Sequence, residues 1–167
     1  SKIYSRVEFA GGRRNNGLTQ SLVERVMHFS RQLDPFTHTI RACGPGEVTV
    51  ILPYQARPGE EIQGMVSTRQ ETLRRSLIIT PRRLVRDWAP QRFEDLTGDD
   101  FQVVMELQPE IVLFGSGGTL RWPDGALTAP LMARGIGVEV MDTAAACRTY
   151  NVLTADQRQV AAALLMI

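Results

Sequence analysis

A chain of 167 residues with 43% hydrophobic and 22% charged residues has the composition of one globular domain, not of a disordered or fibrous chain. Its net charge of +1 offers no global attraction for nucleic acid, an acidic partner or a membrane surface. Two cysteines, Cys43 and Cys147, are too few for a disulfide framework and match no zinc spacing, and no run approaches the ~18 apolar residues that span a bilayer.

Low cysteine usage points to a reducing compartment: the cytoplasm for a bacterial chain, the mitochondrion for a eukaryotic one. A single bridge between Cys43 and Cys147 stays open. The first residues lack the charged and apolar regions of a secretory leader. The sequence starts at Ser1 rather than Met, so the natural start is expected to differ. Lys2 is the only lysine; the remaining basic charge is arginine, as a codon bias would leave it.

Residues 1 to 17 hold Gly11, Gly12 and Gly17 around Arg13, Arg14, Asn15 and Asn16, which is loop chemistry. From Ser21 to Leu33 the spacing predicts an amphipathic helix, with Ser21 and Glu24 as a capping box and Leu22, Val26, Phe29 and Leu33 on one face. Asp34-Pro35 stops it. It reads as a packing or self-association helix, or as a targeting segment, against which Glu8, Glu24 and Asp34 count. His38 to Cys43 and Glu47 to Leu52 read as strands joined by a Gly44-Pro45-Gly46 turn. Pro53 to Thr72 is polar and irregular, with Ile62 to Thr68 either an edge strand or a mobile loop. Leu73 to Thr80 reads as one strand, and Arg82 to Phe93 as a surface crossing that carries Trp88.

The remainder alternates. Thr97 caps a helix whose apolar face includes Phe101, Val104 and Met105. Ile111 to Phe114 is a wholly apolar run, as in a buried parallel strand. After the Gly115 to Gly118 loop, a short helix is expected from Thr128 to Arg134, with Pro130 in its first turn and Gly135 at its C′ position. Gly137 to Met141 is another strand. Asp142 caps a helix expected to end near Asn151, and the capping-box spacing of Thr154 and Gln157 predicts a last helix to Ile167.

Several runs together carry a resemblance: Gly44-Pro45-Gly46-Glu47-Val48, Ser76-Leu77-Ile78-Ile79-Thr80-Pro81, Pro109-Glu110-Ile111-Val112-Leu113-Phe114-Gly115-Ser116-Gly117, and above all Gly135 to Asn151, which includes Met141-Asp142-Thr143-Ala144-Ala145-Ala146-Cys147-Arg148-Thr149-Tyr150-Asn151. The chain resembles the family of small bacterial and archaeal domains of unknown function related to mitochondrial complex I assembly factor 3. The likeness covers about Ile40 to Val50 and Leu73 to Ile167. It implies an α/β fold in three layers: a central mixed β-sheet flanked by helices, with a small additional β layer. It implies no established enzyme activity and no cofactor. The eukaryotic relatives are assembly chaperones that act through protein contacts. Residues 1 to 36 have no counterpart in the family and stand as an N-terminal extension. Residues 37 to 167 form a single domain, with an insertion at about 53 to 72 where the family has a tight turn.

Two groups of residues are site candidates. Gly115, Ser116, Gly117 and Gly118 follow a buried strand, and glycine backbone there can approach and hold an anion. If the strands ending at Phe114 and Met141 are parallel neighbours, Arg121, Asp142 and Thr143 join that crevice. The plainer reading is a tight connection, because a Walker lysine and the full dinucleotide fingerprint are missing. Arg148, Tyr150 and Asn151 form the second group, as solvent-facing anchors for a protein partner or as packing for the turn. Cys147 lies past the first helical turn and reads as a small buried residue rather than a nucleophile. With His28 and His38 the only histidines, no metal site is expected. Arg74, Arg75, Arg82, Arg83, Arg86 and Arg92, with Trp88 and Phe93, form a basic stretch that reads first as a solvated or protein-binding surface, then as a site for a small anion, with nucleic acid the least favoured.

Overall fold

A computed structural model describes residues 34–60 and 66–167. The helix expected from Ser21 to Leu33, and most of the segment Ile62 to Thr68, lie outside the described residues. Strands β1 (Thr39–Gly44) and β2 (Glu47–Ile51) form the expected hairpin. Gly46 has φ +68°, which makes glycine the fitting residue in its turn. Strand β3 (Gln70–Leu73) pairs antiparallel with β2 and completes a three-stranded sheet. It begins inside the segment expected as an insertion.

Strand β4 (Leu77–Ile79) belongs to a second sheet. The stretch Leu73 to Thr80, expected as one strand, is therefore two. Arg74 and Arg75 break it: both are exposed and pair with Glu47 and Asp87, and two adjacent arginines cannot alternate into a buried sheet. Strand β5 (Leu84–Val85) pairs with β4. Trp88 is 2% exposed, so the expected surface crossing carries a core residue. Its indole N–H donates to the Asp100 carbonyl, and its ring meets Phe101 and Phe114 edge-on.

Helix α1 (Gly98–Glu106) follows Thr97, whose backbone N–H and hydroxyl both donate to Asp100 Oδ2, each at 2.8 Å. Strand β6 (Ile111–Gly115), helix α2 (Gly125–Ala133), strand β7 (Gly137–Met141), helix α3 (Thr143–Ala155) and strand β8 (Val160–Leu164) complete the order. Helix α2 starts one turn earlier than expected because Asp124 caps it, accepting the Ala126 N–H at 2.9 Å; Pro130 lies inside the helix. Helix α3 continues through Asn151 to Ala155.

The expected final helix is instead β8. Thr154 and Gln157 do not open a helix; they close α3. Gln157 takes φ +60°, its N–H donates to Thr154 O, and Arg158 N–H donates to Leu153 O, the paired bonds of a Schellman motif. Alanine-rich sequence favours helix locally. However, Val160, Ala161, Ala162, Ala163 and Leu164 offer no polar face, and all five are buried. Such a run suits a strand covered on both sides.

The central sheet has the order β5-β4-β8-β6-β7, with β6 parallel to both β7 and β8 and β4 antiparallel to β8. Side chains alternate along these strands into two cores. Leu77, Ile79, Leu113, Val160, Ala162 and Leu164 face α3 and the three-stranded sheet, whose Ile40, Val48 and Val50 complete that core. Ile78, Val112, Phe114, Ala161 and Ala163 face the opposite side, against α1, α2 and the Trp88 cluster. This is the three-layer mixed α/β arrangement that the resemblance implied.

If the fully buried alanines set the spacing of both layers, Ala162→Leu overfills the core facing α3. The expected outcome is a loss of about 1–3 kcal/mol of stability, read from urea unfolding; an unchanged midpoint counts against this packing.

Candidate functional site

Register fixes where the glycine loop lies. Gly115 stands opposite Met141 on β7 and Leu164 on β8, so three chain segments leave the central sheet at one edge. Ligands of open α/β sheets bind at this kind of edge. The structure does bring Gly115, Ser116, Gly117, Gly118 and Thr143 together, with Asp142 and Arg121 beside them.

Each group already has an internal partner. Ser116 is buried; its N–H donates to Met141 O at 2.9 Å, and its hydroxyl donates to Thr119 O at 2.8 Å and accepts the Arg121 N–H at 2.9 Å. The Thr143 hydroxyl accepts the Gly117 N–H and donates to Leu165 O, both at 2.9 Å. Thr143 N–H returns a bond to Gly117 O. Leu165 N–H donates to Gly115 O at 2.9 Å, and Gly118 N–H donates to Ile167 O at 3.0 Å. Residues 165 to 167 therefore lie against the loop, where Ile167 O takes the Gly118 N–H; the other two loop amides, of Ser116 and Gly117, are taken by Met141 O and the Thr143 hydroxyl.

The glycines have specific reasons. A Cβ at Gly115 would meet Leu164 Cδ2 at 2.9 Å and the Thr143 backbone at 3.0 Å. At Gly117, with φ +107°, it would meet Ile167 Cγ1 at 2.6 Å. Asp142 caps α3, its Oδ1 accepting the Ala145 N–H at 2.8 Å. Arg121 pairs with Glu94 at 2.7 Å and lies 4.3 Å above the Phe93 ring.

Of the second group, only Arg148 is exposed. Tyr150 has no accessible surface, so it is not the solvent-facing anchor expected: its hydroxyl donates to His38 O at 2.8 Å. The Asn151 amide bonds both backbone groups of Ile40, accepting its N–H at 2.9 Å and donating to its carbonyl at 2.6 Å. These two side chains tie β1 to α3. Cys43 and Cys147 are free thiols in the same core. Burial, with the neighbouring Cys43, pushes the Cys147 thiol well up and keeps it protonated.

Four arginines of the basic stretch are paired: Arg74 with Glu47, Arg75 with Asp87, Arg86 with Glu71 and Arg92 with Asp95. With Trp88 buried, the aromatic platform for stacking bases is lost. No group of three metal-capable side chains converges among the described residues, and none of their helices is long and apolar enough to cross a membrane.

Sequence reasoning passed over the loop after β6. Leu120 is 51% exposed and Trp122 71% exposed, beside the closed crevice. Both lie in a short polar stretch, and only their size marked them.

Residues 61–165 match the family described as protein of unknown function (DUF498/DUF598). The chain belongs to this family. Among curated proteins it is similar to NADH dehydrogenase [ubiquinone] 1 alpha subcomplex assembly factor 3 from Homo sapiens, 36% identical over 83 residues, or 48% of this chain and 45% of that protein. The Drosophila melanogaster protein of the same name is 33% identical over 87 residues, or 50% of this chain and 44% of that one. The chain thus spans about half the length of the curated relatives it matches. Among solved structures, a Bordetella parapertussis protein superposes with TM-score 0.63 at 33% identity, covering 77% of this chain and 95% of that one. An Mth938-like domain of Bordetella pertussis gives 0.60 at 27% identity, covering 80% and 87%.

Three measurements follow from these contacts. Gly117→Ala is expected to lose about 1–3 kcal/mol through its positive φ and its clash with Ile167, whereas Gly118→Ala, with no positive φ and only Ile167 O within 4 Å at 3.7 Å, is tolerated; thermal melts of the two distinguish them. Tyr150→Phe is expected to lose about 1–3 kcal/mol, since the His38 carbonyl loses its donor in a buried place. His38 is held below its ordinary 6.5, mainly by burial. The unfolded chain therefore binds a proton that the folded chain does not. Its contribution is fully present above pH 6.5 and is lost as pH falls through the interval below. Urea midpoints of the natural protein should drop more between pH 7 and pH 5 than those of His38→Gln; equal drops would refute the assignment.

Proposed function

We propose that this chain is a non-enzymatic interaction module, an accessory protein of the assembly type. The observation that carries the reading is the state of the sheet edge. Residues 165 to 167 occupy the place where an α/β enzyme binds its ligand, while Leu120 and Trp122 stand exposed next to it. Large exposed aromatic and aliphatic side chains in one loop suit a protein partner, and Trp and Arg are frequent anchors in such contacts. Arg148 keeps the partner-contact role proposed from sequence. Tyr150 and Asn151 support the small sheet, so their substitution would report on folding as well as on binding.

The relatives' name supports a multisubunit NADH dehydrogenase as the object of assembly. The reaction-crevice reading, with Gly115 to Gly118, Arg121, Asp142 and Thr143 holding an anion, requires residues 165 to 167 to leave and their bonds to break. It is the weaker reading for that reason.

The test is affinity capture from the source cells, with the captured proteins identified by mass. NADH dehydrogenase subunits or assembly intermediates should come down with the natural chain. Trp122→Ser should weaken the capture roughly thirtyfold or more, as loss of an aromatic anchor does. A chain that remains alone, or a capture indifferent to Trp122, Leu120 and Arg148 substitution, would sink the proposal.

A further inference from the structure

One part of the basic stretch remains unexplained by ion pairing. A groove of about 570 Å³ is lined by Phe36, His38, Leu52, Pro53, Gln55, Arg69, Arg82 and Arg86. It lies at the far edge of the central sheet from the glycine loop: β4 runs antiparallel to β8, so Pro81 lies toward the start of β8, and His38 is bonded to Pro81 O through both its backbone N–H and its ring.

The arginines of this groove outnumber the carboxylate beside them, Glu71, which feels both Arg86 and Arg69. Among the described residues three arginines line it and no Asp or Glu does. Arg86 is oriented by Glu71, which takes its Nε at 2.9 Å and its Nη2 at 2.6 Å. That bidentate pair fixes the plane of the guanidinium and leaves Nη1 out of the pair. Neither Arg69 nor Arg82 has a carboxylate within salt-bridge distance among the described residues. His38 adds a switchable donor. Its Nδ1 lies 3.3 Å from Pro81 O, which favours a proton on that nitrogen, so Nε2 accepts in the neutral ring and donates when the ring is charged. The remaining wall is apolar: Leu52, Pro53 and Phe36, which is 51% exposed.

Arginines that share a groove repel one another unless an anion offsets their charge, and their planar forks match carboxylate and phosphate oxygens. An exposed phenyl ring beside them supplies apolar contact for whatever carries the anion. We propose that the groove binds a small organic oxyanion, its phosphate or carboxylate on Arg69, Arg82 and Arg86 and its apolar body against Phe36, Leu52 and Pro53. The volume falls within the ~300–1,000 Å³ of small-molecule sites. A nucleic-acid strand fits less well, because it needs successive exposed rings and Trp88 is buried. This site is independent of the proposed protein contact at Leu120 and Trp122.

The chain has two histidines, so the His38 ring signal is assignable by substitution and serves as the reporter. The full chain would be titrated with phenyl phosphate, benzoate and inorganic phosphate, followed by ¹H–¹³C spectra of the imidazoles. Phenyl phosphate should shift the His38 signals in a saturable way and raise its titration midpoint, since a bound anion favours the charged ring. Arg82→Ala and Arg69→Ala should each weaken binding about tenfold, the loss expected for a charged hydrogen bond. Arg134→Ala, outside the groove, should not. Phe36→Ala should bring phenyl phosphate down to the affinity of inorganic phosphate. No shift at about 10 mM probe, far above a millimolar affinity, overturns the proposal. So does equal weakening by Arg134→Ala, which would mean bulk screening. Stronger binding of a glutamate-rich peptide or a single-stranded oligonucleotide than of phenyl phosphate would also overturn it.

Discussion

The two sheets share no strand, and the small one is held in place by what Tyr150 and Asn151 do to β1. The side-chain amide of Asn151 acts as a substitute neighbouring strand, meeting both the N–H and the carbonyl of Ile40. It does so where the β1–β2 register shifts between Ile40 and Ala42. The Tyr150 hydroxyl takes the carbonyl of His38 just before the strand. Each bond is worth only about 1 kcal/mol net, yet leaving such groups unpaired inside the protein costs more than the bond contributes. Ile40, Val48 and Val50 can close the core over Ala146 and Cys147 only while β1 is held there. The same contact positions His38, and with it one wall of the basic groove.

Much of the second half was legible in sequence for local reasons. Gly135 and Asp142 bracket the β7 run with a helix stop and a helix start, and both act as their chemistry suggests: Gly135 takes φ +75° and Asp142 caps α3. The Thr97 and Asp100 pair marked α1 equally well. Errors arose where tertiary surroundings overrode local preference. Three consecutive alanines favour a helix until β4 and β6 flank them on both sides. Gln157 looked like half of a capping box, and only its left-handed backbone shows that it ends a helix. Leu73 to Thr80 looked continuous because apolar residues stand at both ends of it, whereas the salt bridges of Arg74 and Arg75 divide it between two sheets.

The site residues show the same division. The condition set from sequence, that the strands ending at Phe114 and Met141 be parallel neighbours, is met, and it puts the glycine loop and Thr143 at one sheet edge. It could not predict that residues 165 to 167 would lie there, because those residues were expected in a helix. The glycines permit close approach, and what approaches is the chain's own Ile167. Tyr150 was misplaced for a related reason: a phenol near a helix end looks available, but its partner is 112 residues away in sequence. The long motif from Gly135 to Asn151 therefore encodes how one helix links two sheets.

Strand β8 has an implication for the order in which the protein can form. It lies between β4 and β6, which do not touch each other in the sheet. Leu77 meets Leu164, and Ile79 meets Ala162, across more than eighty residues of chain. During synthesis, everything up to Gln159 can make the β4–β5 and β6–β7 pairs and the helices, but β4 and β6 each keep one strand edge unpaired and the two halves of the central sheet stay unjoined. Completion of the sheet must await strand β8, made more than eighty residues after β4. Long-range pairing of this kind is slow relative to local structure. A nascent chain arrested before residue 160 would present unpaired strand edges on either side of the gap, and so would be a natural client for a chaperone at the ribosome exit.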